Sequence, residues 1–495
     1  MTDDANFTRF EMPTAREIEL DLALASPSWQ SLLAPHVDPA GGTHAIVLGG
    51  SMAGLLAARA LADHFDRVTI VDRDRLPGDA RFRDGVPQSR HPHGLLRRGL
   101  VELEGLFPGL EAELVDAGGV PLTGPDFLRL SAFGWAERFE NPGLVAASRE
   151  LIEWSVRRRT LADQRIRMLD GHEVEGLIAS SGGSIVNGVE LRERIGGAGC
   201  VLLGDLVVDA TGRNSKAPAW LRDLGYGETP ETVINSFLGY ASCVYRIPPG
   251  FAADWKILMV GDKPPVMGRA GIVVAIEGGR WMVGLAGYGR DYPPVDREGF
   301  LAFARSLRSD LLYRAIRDAE ALTRISGFRA TVNRRRHFDS MARWPERFVV
   351  LGDAACTFNP VYGQGMSVAA MTAAALRKAA SDFARPGFAR RMQKRVAKAS
   401  LNAWVIATGA DVRYPTTEGR QPGALDRVMQ RYIDRVIEVS MQDADVNAAF
   451  SRVVHLLDAP QALLAPAVVR RVFAGRPRPI LEPPIARAVL RPART

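Results

Sequence analysis

The segment "HAIVLGGSMAGLLAARALADHFDRVTIVD", residues 44 to 72, constrains the fold more than any other part of the chain. A short apolar run ends in a glycine turn, an alanine- and leucine-rich stretch follows at helical period, and a second apolar run closes on a carboxylate. Strand, turn, helix and strand within about thirty residues make a βαβ unit, which predicts a parallel sheet. Gly49 permits the tight turn, and Gly54 permits close packing of helix on strand. The position between them that commonly holds another glycine is Ser51, small enough for a pyrophosphate to approach the helix N-terminus. Taken alone, this is also how any tight strand-to-helix turn reads. Asp72, 23 residues after Gly49, adds a carboxylate where both hydroxyls of an adenosine ribose can be bound. Asp74 is close by, but the run "VTIVD" puts Asp72 at the strand end. Together these residues predict a site for an adenine dinucleotide.

A second stretch chooses between dinucleotides. "GDAACTFNPVYGQGMS", residues 352 to 367, follows the apolar run Phe348-Val349-Val350-Leu351 and precedes an alanine-rich helical pattern. Asp353, at a strand C-terminus, suits a polyol hydroxyl. Pro360 shapes the loop, and Gly363 and Gly365 let backbone N–H groups point at a ligand. The helix beginning near Gln364 aims its positive end there, which favours the negative charge of a reduced flavin. A nicotinamide dinucleotide has no ribityl chain and needs no second clamp three hundred residues away. FAD fits better, and non-covalently, since no His or Cys lies in a flavinylation context.

The order of patterns predicts an α/β chain. Residues 1–43 read as an N-terminal extension and 44–224 as the first part of a Rossmann-like FAD-binding domain. Residues 225–345 read as an inserted, mostly-β substrate domain, 346–384 as the return to the FAD domain, and 385–495 as a C-terminal helical region.

From about 43 to 380 the chain resembles the group A flavoprotein monooxygenases, the para-hydroxybenzoate hydroxylase fold. "GGSMAG" with "VDRD" is similar to that family's dinucleotide fingerprint, and "RFRDGVPQ" to its arginine-bearing segment. The likeness implies that Arg83 contacts the FAD phosphates. It places Arg149 against the cofactor at a helix start, Asp353 on the ribityl chain, and Gly363 to Met366 near the isoalloxazine. The expected cofactor-binding set is Gly49, Ser51, Met52, Ala53, Gly54, Asp72, Arg73, Arg83, Gln88, Arg149, Val174, Asp353, Gly363, Gln364, Gly365 and Met366. Within the fold, "GVPQSRHPHGLLRRGL" and "NPVYGQGMS" most resemble bacterial polyether flavin epoxidases related to squalene epoxidase, enzymes of secondary metabolism. One departure is Thr211 before Gly212 in "DLVVDATGRNS", where the family carries Asp-Gly. It leaves open whether NAD(P)H binds directly or a flavin reductase delivers the electrons.

The resemblance implies a monooxygenase in which a flavin C4a-hydroperoxide passes one oxygen atom of O2 to a small apolar substrate, with epoxidation of an alkene or polyene expected first. Aromatic hydroxylation and prenyl-chain reduction are the alternatives. No acid–base pair is evident in the sequence, and no catalytic residue is assigned. Halogenation is discounted, because no lysine precedes Lys216 and the paired-tryptophan motif is missing. A non-catalytic FAD-binding or prenyl-carrier protein is the alternative from another class.

The remaining features are bland. Three distant cysteines (Cys200, Cys243, Cys356) form no disulfide framework or metal spacing. Cys356, without a basic neighbour, reads as a packing residue. His91-Pro92-His93 lacks the further ligands a metal needs and reads as a loop near the flavin. "RRRH", 334 to 337, reads as a solvated basic face, with no aromatic interleaving to suggest nucleic acid. Seven arginines after Val469 against one acid, Glu482, suggest a solvated tail, with at most peripheral contact to an anionic membrane surface. No apolar run reaches membrane-spanning length and "MTDDANFTRFE" is not a signal, so a cytoplasmic protein is expected. Tyr240, Tyr245, Trp281 and Tyr362 are read either as lining a substrate cavity or as core.

Overall fold

The strand His44–Leu48 is buried along its whole length, as a run of apolar residues flanked on both edges must be. It lies at the centre of a five-stranded parallel sheet. In order across that sheet run Phe348–Val350, Leu206–Asp209, His44–Leu48, Arg67–Val71 and Ile166–Leu169. The computed structural model describes residues 42–484, so the 1–43 extension lies almost wholly outside the described residues, as do Arg487, Arg491 and Arg494, whereas Arg470, Arg471, Arg476 and Arg478 are described and exposed. The helix Met52–Ala62 leaves the first strand through the glycine turn, and the helix Gly365–Arg377 packs beside it. This approach is very close. A Cβ on Gly54 would stand 1.7 Å from the Gly49 carbonyl oxygen. One on Gly352, whose φ of 59° already favours glycine, would stand 2.8 Å from the Ala53 Cβ. The two glycine loops therefore abut although the strand Leu206–Asp209 lies between the strands that lead into them.

A second sheet has seven strands, in the order Ser326–Phe328, Gly239–Arg246, Arg280–Gly287, Arg269–Ile276, Ile257–Val260, Phe127–Ser131 and Gly134–Trp135. Its two faces differ in company. Leu128, Leu130, Cys243, Tyr245, Leu258, Val273, Trp281 and Val283 pack with Phe300, Phe303, Leu312 and Ile316 from the two helices Arg297–Arg305 and Leu311–Ile316. Tyr245 and Trp281 are thus core residues and do not reach a substrate. The opposite face, with Phe127, Tyr240, Ile257, Met259 and Ile272, turns to a cavity.

The boundary at residue 224 does not divide the two sheets. Phe127–Ser131 pairs in parallel with Ile257–Val260, so part of the 44–224 segment belongs to the second sheet. A pairing across such a separation leaves no local pattern. The "RRRH" reading is also corrected. Asn333–Arg336 is the middle strand of a three-stranded sheet with Glu231–Ile234 and Cys356–Thr357. Arg336 is buried, bonding Glu231 at 3.0 Å and the Ala354 carbonyl at 2.7 Å. Cys356 is buried in an apolar cluster, where burial pushes its thiol up to about 12.

The helix Phe388–Asp411 runs back along the five-stranded and three-stranded sheets, against Phe348–Val350 and Asn333–Arg336. Ala424–Ser440, Ala444–Val454 and Pro466–Ala474 then form a cluster around Val436, Val439, Val446 and Val472. Among the described residues, no helix is long and apolar enough to cross a membrane.

The crowding at Gly54 gives a direct test of this packing. Gly54→Ala should cost about 3 kcal/mol or more, because backbone and not a movable side chain meets the new methyl group. Gly105→Ala, in a helix with nothing within 4 Å of the added atom, should be neutral or stabilising by about 0.5–1 kcal/mol. Denaturant unfolding of both variants measures the contrast.

Candidate active site

The glycine turn, the Gly352–Met366 loop and the free face of the seven-stranded sheet open on one cavity of about 1040 Å³. At the nucleotide end, Ser51 precedes the helix Met52–Ala62 without capping it. Its hydroxyl donates instead to Glu153 at 2.7 Å and accepts from Arg149 Nη2 at 2.9 Å. The first N–H groups of that helix are left without a side-chain acceptor, as an anion site requires. Arg149 opens the helix Arg149–Leu161, which Ser148 caps, and Glu153 lies one turn on. Burial opposes ionisation of Glu153, but the Arg149 and Arg83 guanidiniums hold it down at about 2.

Arg83 bonds Glu153 at 2.9 Å and Asp74 at 2.8 Å, with Asp72 at 3.5 Å. Asp72 stands just past the strand Arg67–Val71 and accepts the Gly50 N–H at 2.5 Å and the Asp74 N–H at 2.8 Å. Its pKa is raised by burial, against the pull of Arg83. Gly49, Met52, Ala53, Arg73, Gln88 and Val174 line the same end of the cavity. The hairpin that carries Val174 shifts register between Val174 and Gly176.

Asp353 also lines the cavity. Its carboxylate has no donor among the described residues, and burial raises its pKa although Arg213 and Arg149 lower it. Gly363, at φ 63°, turns the chain into the helix Gly365–Arg377, and Gly363, Gly365 and Met366 line the cavity. Two expected residues do not. Gly54 lies behind the turn, where it serves packing. Gln364 is buried beside the cavity, and its side-chain oxygen lacks a partner.

The His91–His93 loop crosses between the two ends. His91 Nδ1 lies 2.9 Å from Ser242 Oγ, and its ring meets Tyr240 edge-on at 4.4 Å. Burial drives His91 to about 3 and His93 to about 4, so both are neutral near pH 7. Among the described residues, no His, Cys, Asp and Glu group is arranged for a metal.

Polar groups that the sequence did not reveal converge on the cavity. Asp411 is fully buried and accepts from Ser236 (3.0 Å), Asn333 (2.7 Å), Asn359 (3.1 Å) and Tyr362 (2.8 Å). Tyr362 Oη lies 3.2 Å from Tyr288 Oη, and the Tyr288 ring stacks on Tyr414 at 4.3 Å. The Tyr414 hydroxyl donates to Asp262, whose pKa burial raises. Asp262 and Tyr414 are 152 residues apart, so no motif could announce them.

The arrangement fits FAD on three observations. A helix N-terminus is left uncapped by its serine, and among the described residues the buried Arg149 Nε has no partner and the Asp353 carboxylate no donor. These suit a pyrophosphate and a ribityl hydroxyl respectively.

No family model matches the chain. Among solved structures it resembles the flavoprotein/dehydrogenase of Cytophaga hutchinsonii, with TM-score 0.61 and 15% identity over 87% of this chain and 96% of that one. It also resembles a triple mutant of the flavin-dependent brominase Bmp2, with TM-score 0.60 and 15% identity over 87% and 97%. A third is PqsL of Pseudomonas aeruginosa in complex with 2-aminobenzoylacetate, with TM-score 0.56 and 17% identity over 83% and 99%. At such identities the likeness shows the fold, that of the FAD-binding monooxygenases, and leaves the chemistry to the site. A curated relative is Protein Rv3254 of Mycobacterium tuberculosis (strain ATCC 25618 / H37Rv), 31% identical over 453 residues that span 87% of this chain and 93% of the relative. On that extent of identity, the chain belongs to the same family as Protein Rv3254.

Proposed function

We propose that the chain is an FAD-dependent monooxygenase that transfers one oxygen atom of O2 to a lipophilic substrate, an alkene or polyene by epoxidation. The observation that carries this reading is the continuity of one cavity. It runs from an uncapped helix N-terminus, past an unpartnered Asp353, to an apolar sheet face. In this reading the N-terminus of Met52–Ala62 and Arg149 hold the pyrophosphate, Asp72 the ribose, and Asp353 the ribityl chain. The N-terminus of Gly365–Arg377 supports negative charge on the ring. Bound FAD supplies the redox chemistry, with electrons from NADH or NADPH, directly or through a reductase.

The chain's own residues bind, orient and exclude water. Phe127, Ile257, Met259, Ile272 and Val274 present an apolar wall on which a hydrocarbon lies without losing hydrogen bonds to water. Neutral His91, fixed by Ser242, keeps the approach to that wall free of charge. The likeness of "GVPQSRHPHGLLRRGL" and "NPVYGQGMS" to the polyether epoxidases supports an alkene as substrate. One observation favours hydroxylation of a phenol as second reading. Asp262 with Tyr414, and Tyr362 with Asp411, supply hydrogen-bonded acid–base pairs beside the cavity.

Three measurements test this. Asp353→Ala should weaken FAD roughly tenfold or more, the loss of a charge-assisted hydrogen bond of about 1.5–3 kcal/mol. Unchanged affinity in equilibrium dialysis would show the loop misread. Ser51→Gly should retain the flavin, whereas Ser51→Glu should expel it by crowding and like-charge repulsion at the helix start. Absorbance of the purified variants reports occupancy. Turnover under labelled dioxygen with polyenes, terpenes and phenols should put one labelled atom into an epoxide. Labelled phenolic products alone would select the second reading, and saturated products formed without O2 would remove oxygenation altogether.

A further inference from the structure

The free face of the seven-stranded sheet carries one charge that no acid among the described residues answers. Arg129 is the middle residue of Phe127–Ser131, on the same face as Phe127, and it lines the cavity. Its only side-chain hydrogen bond among the described residues runs from Nη2 to the Met441 sulfur at 3.9 Å. No carboxylate among the described residues pairs with it, whereas the cavity's Arg83 and Arg149 are both paired. Burial alone shifts the guanidinium, downward, with no acidic neighbour opposing it. A guanidinium nevertheless stays ionised near pH 7. An unanswered charge in an apolar surround costs several kcal/mol unless a counter-ion arrives.

The sheet register fixes where that charge lies. Ser242, Gly284, Ile272, Met259 and Arg129 are successive cross-strand partners on one line. At the Gly284 end the sheet meets the His91–His93 loop, since a Cβ on Gly284 would stand 2.8 Å from Pro92 Cγ. The field of Arg149 reaches His93, which puts that end beside the nucleotide site. Arg129 lies three strand spacings away, roughly 14 Å. Only Ile272 and Met259 stand between on that row.

We infer that Arg129 is the anion subsite of the substrate cavity, and that the substrate is a lipophilic monocarboxylic acid. Its carboxylate is held by Arg129 and its hydrocarbon body lies along Met259 and Ile272 toward the His91–His93 loop. A single unpaired positive charge balances a monoanion, and the guanidinium fork matches the two oxygens of a carboxylate. The inference rests on the proposed oxygenation only for what happens at the far end of the chain; the anion subsite stands independently of it.

The test is calorimetric titration of the FAD-loaded protein with linear unsaturated carboxylic acids of increasing length and with their methyl esters. The unsubstituted protein should bind the best acid roughly 10- to 100-fold tighter than its ester. Arg129→Met should abolish that preference while ester binding reports an intact cavity. Arg129→Lys should restore part of it. Equal affinity for acid and ester, a preference surviving in Arg129→Met, or no binding by any acid in the series would overturn the assignment. Turnover under labelled dioxygen with the best-bound acid separates the two ideas. Arg129-dependent binding without labelled product leaves the subsite standing and removes the oxygenation reading. Labelled product that forms equally well in Arg129→Met does the reverse.

Discussion

The carboxylate of Asp411 is fully out of water, and the geometry of the cavity depends on it. A buried charge is tolerated only where hydrogen-bond donors replace its solvation. Here the donors come from separate parts of the chain: Ser236 and Asn333 from the inserted segment, and Asn359 and Tyr362 from the second glycine loop. Asn333 further accepts the Asn359 N–H at 2.7 Å. One side chain at the end of Phe388–Asp411 therefore sets the sheet domain against the loop that carries Asp353. Each hydrogen bond to such a charge is worth about 1.5–3 kcal/mol, so the donors hold their positions as a group.

The nucleotide end is organised on a different principle. Asp72, Asp74 and Glu153 surround Arg83, and Arg149 joins Glu153 to Ser51. These charges satisfy one another, which keeps the glycine turn and the helix Arg149–Leu161 in register before any ligand is present. Asp353 and Arg129 are the contrast, since among the described residues neither has a charged partner at hydrogen-bonding distance. A paired network holds shape, and an unpaired group awaits a ligand. Between them the sheet face is apolar, so a substrate there is gripped at its polar end and positioned by shape elsewhere.

Much of the site was legible in the sequence because its parts are local. The turn at Gly49–Ser51, the acid ending Arg67–Val71 and the loop ahead of Gly365 each occupy a few consecutive residues whose meaning depends on neighbours in the chain. Some errors also had a local remedy. Tyr240 and Tyr245 have opposite parity along Gly239–Arg246, so they could not both face a substrate. Others had none. The stretch "RRRH" looks solvated until a strand from each side buries Arg336.

The sequence by itself determined the parallel sheet and the two glycine loops, because each rests on spacing within one strand–turn–helix stretch, and the pair of loops together gave the expectation of FAD over NAD. Tertiary structure decided which side chains share the cavity. The membership of Phe127–Ser131 in the second sheet, the meeting of Asp262 with Tyr414 and the isolation of Arg129 all depend on partners far away in the chain. A single Asp or Arg carries no mark of its role in sequence. Its charge gains meaning only from what is buried beside it, and for Arg129 from what is not.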